Sequence, residues 1–181
     1  MIIIDGTKEI EYEGRTRVAI GKFDGIHKGH QKLISIITDK TIDSDKSLVF
    51  TFTYKSEYYL NKVERIFSEE ERRKKFEALG VDFLVEYELN DETSRMEPED
   101  FARIILKERL HAKEIVCGPD LSFGYKGRGN VELLRSMAEE LDLKITVIEK
   151  VQYEGEDISS SRIRNALKEG HEYDAKVMLG D

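Results

Sequence analysis

A chain of 181 residues with a net charge of −8 at pH 7 is long enough for one domain with a sizeable core. That acidity argues against a non-specific nucleic-acid or membrane-surface binder, but it leaves room for a local basic pocket that takes a small anion. The single cysteine, Cys117, ends the apolar run 114-EIVC-117; it excludes an internal disulfide framework and a cysteine-built metal site, and reads as a buried, inert thiol. No stretch approaches the ~18–20 apolar residues of a membrane span, and no secretory pattern opens the sequence, so a cytosolic protein is expected.

In chain order, 1-MIIIDGTKEIEYEG-14 reads as an extra strand or hairpin. Short runs rich in Val, Ile and Phe then recur at 17-RVAIG-21, 48-LVFTF-52, 81-VDFLVE-86, 114-EIVC-117 and 144-KITVI-148, and each predicts a strand. Between them lie helical patterns. Leu33, Ile34, Ile36 and Ile37 supply an apolar face to the first. The second, 68-SEEERRKKFEALG-80, pairs Ser68 with Glu71 as a capping box and stops at Gly80. The third, 97-EPEDFARIILKERL-110, places Phe101, Ile104 and Ile105 at i, i+3 and i+4. The fourth is 130-NVELLRSMAEEL-141, and two short helices at 159–170 and 171–180 close the pattern. Strands alternating with helices predict one α/β domain over 1–181, a doubly wound, Rossmann-like parallel sheet of about five strands. Ligands of such sheets sit beyond the strand C-termini where strand order reverses, and the loop 21-GKFDGIHKGH-30 would lie there.

The helix starts differ from one another. Acids favour helix N-termini, and SEEE, EPED and the Glu132 that follows Asn130 obey. Two helices do not: one opens with Lys28, His30 and Lys32, the other with Ser159, Ser160, Ser161, Arg162 and Arg164. Free N–H groups among cations and hydroxyls form an anion site, and a phosphate chain spanning both starts fits them. Against this stands a plainer account, in which the lysines lie in solvent and the serines only cap. Arg162 and Arg164, two apart and so about 200° apart around a helix, carry equal weight.

His27 and His30 do not read as a metal site. Zinc wants three or four protein ligands, Asp24 is the one nearby candidate, and the flanking lysines repel a cation. They read instead as hydrogen-bond donors to phosphate oxygens whose charge grows in a transition state. Gly21, Gly25 and Gly29 permit tight turning and close approach of a phosphate to the backbone. Neither a P-loop nor a G-x-G-x-x-G fingerprint is present. The glycines of 122-SFGYKGRGN-130, with Lys126 and Arg128, suit either a surface turn or a contact to a ligand phosphate.

GKFDGIHKGHQ resembles the loop of HxGH-type nucleotidyltransferases, specifically the adenylyltransferase module of bacterial FAD synthetases. 76-FEALGVDFLV-85, 118-GPDLSFGYKGRGN-130 and 158-ISSSRIR-164 agree in order and spacing, so the likeness spans about residues 16–180. The resemblance implies transfer of AMP from ATP to FMN, giving FAD and pyrophosphate, with Mg²⁺ accompanying ATP and no dedicated protein metal site. It makes His27, His30 and Arg164 the catalytic residues. It assigns Gly21, Phe23, Asp24, Gly25, Gly29, Gly118, Asp120, Ser160, Ser161 and Arg162, together with those three, to ATP. It assigns Thr53, Phe123, Gly124, Lys126, Arg128 and Asn130 to the flavin.

Three departures from the family pattern stand out. The family's T-F-D-P-H-P is here 51-TFTYKS-56, Lys22 replaces an asparagine, and the riboflavin kinase domain of bifunctional members does not follow 178-MLGD-181, implying a separate or removed kinase. Another phosphorylated acceptor, CTP as donor, and a non-catalytic nucleotide- or flavin-binding homologue therefore stay open as alternatives.

Overall fold

The computed structural model describes residues 1–6, 11–54 and 65–181, with the backbone alone described at Tyr54. Six parallel strands form the sheet, in the order β1-β4-β3-β2-β5-β6. They are β1 (Ile2–Asp5), β2 (Thr16–Ile20), β3 (Lys46–Tyr54), β4 (Phe83–Leu89), β5 (Ala112–Cys117) and β6 (Lys144–Val147). The sixth strand beyond the five expected is β1, which pairs in parallel with β4 through Ile2 opposite Phe83. The remainder of the expected N-terminal hairpin falls partly on 7–10, outside the described residues.

Alternation within the central strand divides the core into two layers. Val18 and Ile20 of β2 pack on one face with Leu48, Phe50, Phe101 and Leu134. Ala19 packs on the other with Val49, Ile34, Ile37 and Phe76. Helices α1 (Lys28–Thr38) and α2 (Glu69–Ala78) cover this second face. Ser68 and Glu71 make the expected capping box, and Gly80 takes φ +79° just past the helix. Helix α4 (Val131–Met137) covers the first face, with Asn130 accepting a hydrogen bond from the Leu133 N–H as its cap.

The helix expected at 97–110 departs from α geometry. Its first turn, Pro98–Asp100, continues as a π-helical stretch over Phe101–Arg109, and these together form α3. The Leu110 N–H bonds to the Ile105 carbonyl at 3.0 Å. This i→i+5 winding puts Phe101 and Leu106 on the core side with Ile105 and Leu110. Ile104, placed on the apolar face by a 3.6 period, is only partly buried.

After β6, a small hairpin of β7 (Gln152–Tyr153) and β8 (Glu156–Asp157) leads into α5 (Ser160–Lys168) and α6 (Glu172–Leu179). These two helices bury Ile163, Ala166, Ala175 and Met178 against each other. Gln31 of α1 donates to the Leu179 carbonyl at 2.7 Å, fixing α6 to the first helix. Buried Arg17 donates to the carbonyls of Ile36 and Asp39, so it completes the C-terminal end of α1 from below, and Glu114 stands 3.4 Å from its Nε. Cys117 is fully buried and its thiol is pushed up to about 11 by burial, as expected of an inert thiol.

Candidate functional site

The chain runs from β2 through β3 to β4 on one side, then crosses back to β5 and β6 on the other. Strand order therefore reverses between β2 and β5, and a cavity of about 580 Å³ opens beyond their C-terminal ends. The loop 21–27 after β2 and the segment 118–122 after β5 both line it, together with the start of α5.

The loop after β2 is tightly wound. Gly25 takes φ +85°, and Phe23 and Ile26 also take left-handed φ of 49° and 41°. Non-glycine residues in that region cost roughly 1–3 kcal/mol each, and complete burial of the Phe23 and Ile26 side chains offsets it. Those two anchors turn His27 toward the cavity at the N-cap of α1, where its side chain makes no capping bond. Gly29 gives the His27 ring its room, since a Cβ there would lie 3.1 Å from it.

The His27 and His30 rings stack at 3.7 Å between centroids and 20° between planes, and Phe23 lies 5.0 Å from His30. Both Nδ1 atoms are buried without a hydrogen-bond partner among the described residues. Burial brings His27 down to about 4, against weaker upward pulls from Asp24 and Asp120. Burial, then His27, then Arg72 hold His30 well below the ordinary range. Two adjacent rings of this kind are neutral at pH 7, and each offers one N–H donor.

Arg164 and Arg162 separate as their helical spacing implies. Arg164 lines the cavity, held by the Asp24 carboxylate and by Ser161 Oγ at 3.2 Å. Arg162 turns away onto the hairpin, donating to the carbonyls of Tyr153 and Glu156 at 2.9 Å each, so the structure does not bring it to the expected ATP site. Ser159 accepts from the Arg162 N–H as a plain cap, while Ser160 donates to the Asp24 carbonyl at 2.6 Å. Asp24 thus joins the loop after β2, the start of α5 and, through the Ile66 N–H at 3.2 Å, the approach to α2.

Lys28 and Lys32 are exposed and do not line the cavity, so the plainer account holds for them. Its cations are Lys22, Arg65, Arg72, Lys150 and Arg164, against Asp24, Asp120 and Glu149. Gly21, Gly29, Gly118, Asp120, Ser160 and Ser161 line the cavity; Phe23 and Gly25 do not, Phe23 packing against His30 and Phe76 and Gly25 turning the loop. Lys150, 3.2 Å from Asp120, was not among the expected residues, and neither was Arg72.

The residues expected to border a flavin stand back from the cavity. Phe123 is buried in the core, Arg128 pairs with Glu97, Asn130 caps α4, and Lys126 stacks on Tyr125 at φ 53°. Thr53 lies near the end of β3, short of the cavity, and Lys55 and Ser56 lie outside the described residues. Leu121, Ser122 and Phe52 line the cavity wall instead. Gly124 holds this loop against α3: it takes φ 68° and ψ −172°, and a Cβ there would meet the Pro98 Cα at 2.6 Å. Gly124→Ala is expected to cost roughly 1–3 kcal/mol in denaturant titrations, and an unchanged midpoint would contradict this geometry.

A doubly wound sheet with neutral histidines and a cluster of cations around the cavity at its reversal point defines an α/β domain with a candidate anion site. Residues 9–162 match the FAD synthetase family, and the chain belongs to that family. A protein named FAD synthetase from Listeria monocytogenes is 30% identical over 169 residues, covering 90% of this chain and 68% of that protein. A bifunctional riboflavin kinase/FMN adenylyltransferase from Buchnera aphidicola is 32% identical over 185 residues, covering 99% of this chain; the chain spans 59% of that relative's length. A crystal structure from Streptococcus pneumoniae, described as a macrolide-efflux protein, superposes with a TM-score of 0.82 at 30% identity, over 99% of this chain and 61% of that one. Among the described residues of this chain, no helix is long and apolar enough to cross a membrane.

Proposed function

We propose that this chain transfers AMP from ATP to the phosphate of FMN, forming FAD and releasing pyrophosphate. The observation that carries the reading is the stacked, neutral His27–His30 pair at the start of α1, in one cavity with Arg164 and Ser161 from the start of α5. Membership of the FAD synthetase family supports the choice of substrates.

In this reading an oxygen of the FMN phosphate attacks the α-phosphorus of ATP. A bond forms between that oxygen and phosphorus, and the bond to the bridging α,β oxygen breaks, its electron pair leaving on pyrophosphate. No protein nucleophile is required, so positioning and charge stabilisation do the work. His27 and His30 donate to phosphate oxygens without themselves changing charge. Arg164 exchanges the Asp24 carboxylate for phosphate oxygens, and Ser161, its other partner, stays beside it. Lys150 and Asp120 face the nucleotide half beyond β5 and β6, while Phe52, Leu121 and Ser122 offer the flavin a mixed wall.

Magnesium keeps waters and substrate phosphates as most of its ligands and needs one or two carboxylates at most. Asp24 and Asp120, both on the cavity wall, suit that modest requirement, and the ion would neutralise triphosphate charge when bound with ATP.

Pyrophosphate release with ATP and Mg²⁺ should depend on FMN. Riboflavin, which has no phosphate, should not replace it, and neither should a panel of other phosphorylated acceptors. Release driven equally by an unrelated phosphomonoester would defeat the assignment of FMN.

A further inference from the structure

Helix α2 carries two consecutive arginines with opposite surroundings. Arg73 pairs with Glu86, both its Nε and Nη2 donating to that carboxylate. Arg72 turns inward beside Phe76, is only 6% exposed and lines the cavity. Among the described residues its one hydrogen bond runs from Nη2 to Thr51 Oγ1 at 3.0 Å, and Thr51 Oγ1 in turn donates to the Lys22 carbonyl at 3.1 Å. The buried Nε has no partner, and no carboxylate lies within ion-pair distance among the described residues. Arg17, comparably buried, has Glu114 and two helix carbonyls. An unpaired buried guanidinium is a costly arrangement, and it is suited to a bidentate oxyanion.

Its position selects which oxyanion. Across the sheet, Arg72 is tied to β3, the histidine pair follows β2, and Asp120 and Lys150 follow β5 and β6. The nucleotide occupies the half beyond β5 and β6 in the reading above, so the attacking phosphate must approach the histidines from the β3 half. In-line transfer requires the attacking and leaving oxygens on opposite sides of the α-phosphorus. We propose that Arg72, held by Thr51, binds the phosphate of the acceptor and aims it at the nucleotide. The role rests on FMN being that acceptor.

Binding separates the two claims without any need for turnover. Affinities for FMN and riboflavin are measured by flavin fluorescence, and for ATP by calorimetry, in the full chain and in R72M and R72K, with thermal melts alongside. The wild-type chain should prefer FMN to riboflavin, and R72M should reduce that preference by about tenfold or more, leaving riboflavin and ATP affinities unchanged. R72K, which keeps the charge but not the fork, should fall between.

A wild-type chain with no preference for FMN would overturn the acceptor assignment, and this role with it. A preference that survives intact in R72M overturns the Arg72 role alone. Losses shared equally by FMN, riboflavin and ATP would mark Arg72 as structural, and so would a loss confined to ATP mark it as a nucleotide ligand; either result rejects the proposal. Should R72M fail to fold, full preference in R72K decides against it.

Discussion

His30→Ala is expected to lower the rate of FAD formation by ~10²–10³-fold, the usual effect of removing one preorganised donor from a developing oxyanion. The ring lines the cavity, stacks on His27 and touches Phe23, so its deletion also frees His27 to move. The loss should fall on kcat more than on the KM for ATP, because the donors matter most where charge grows. Steady-state kinetics on purified His30→Ala, with a thermal melt as control, check this. A variant with unchanged kcat and a raised KM would assign the ring to ground-state binding only.

Stability should depend on pH through the same pair. Both histidines have folded pKa values below the ordinary 6.5, His27 at about 4. Below pH 6.5 the unfolded chain therefore binds more protons than the folded one, and stability falls as pH drops from about 6.5 toward 4. His27 alone accounts for about 3 kcal/mol across that window, at 1.36 kcal/mol per pKa unit. Denaturant titrations from pH 7.5 to 4 should show the decline, and His27→Gln should flatten it. The two rings should add no limb near 6.5 to the pH–rate profile, since both stay neutral well below it; a limb at about 6 belongs to the second ionisation of the FMN phosphate and should persist in His27→Gln. An identical pH dependence in His27→Gln would contradict the buried, neutral pair.

Much of this was readable from residue pattern. The Ser68–Glu71 box and the Gly80 stop are local chemistry, and they appear as expected. The histidine start was legible because Lys28, His30 and Lys32 break the acid-first habit that three other helices keep. The spacing of Arg162 and Arg164 showed that they would diverge, but choosing Arg164 needed the positions of Asp24 and the hairpin.

Other features depended on tertiary placement. Lys28 and Lys32 sit in the first turn but point to solvent, whereas Arg72 comes from a different helix altogether. A trace of Arg72 was present in the sequence: α2 has few apolar residues, and Arg72 lies one turn before buried Phe76, on the face that must turn inward. The π-helical winding of Phe101–Arg109 left no mark that a 3.6-residue period could detect. The residues expected to border the flavin stand back from the cavity for a related reason. Phe123 and Asn130 are occupied in holding the loop, which leaves Leu121 and Ser122 to face the cavity.

The most direct measurement follows a labelled phosphate. Purified chain is incubated with FMN, Mg²⁺ and ATP labelled at either the α- or the γ-phosphorus, and the flavin is isolated. Adenylyl transfer predicts that α-label appears in FAD in step with pyrophosphate release, and that γ-label appears only in pyrophosphate. Flavin without α-label, or γ-label leaving as anything other than pyrophosphate, would contradict the proposed reaction.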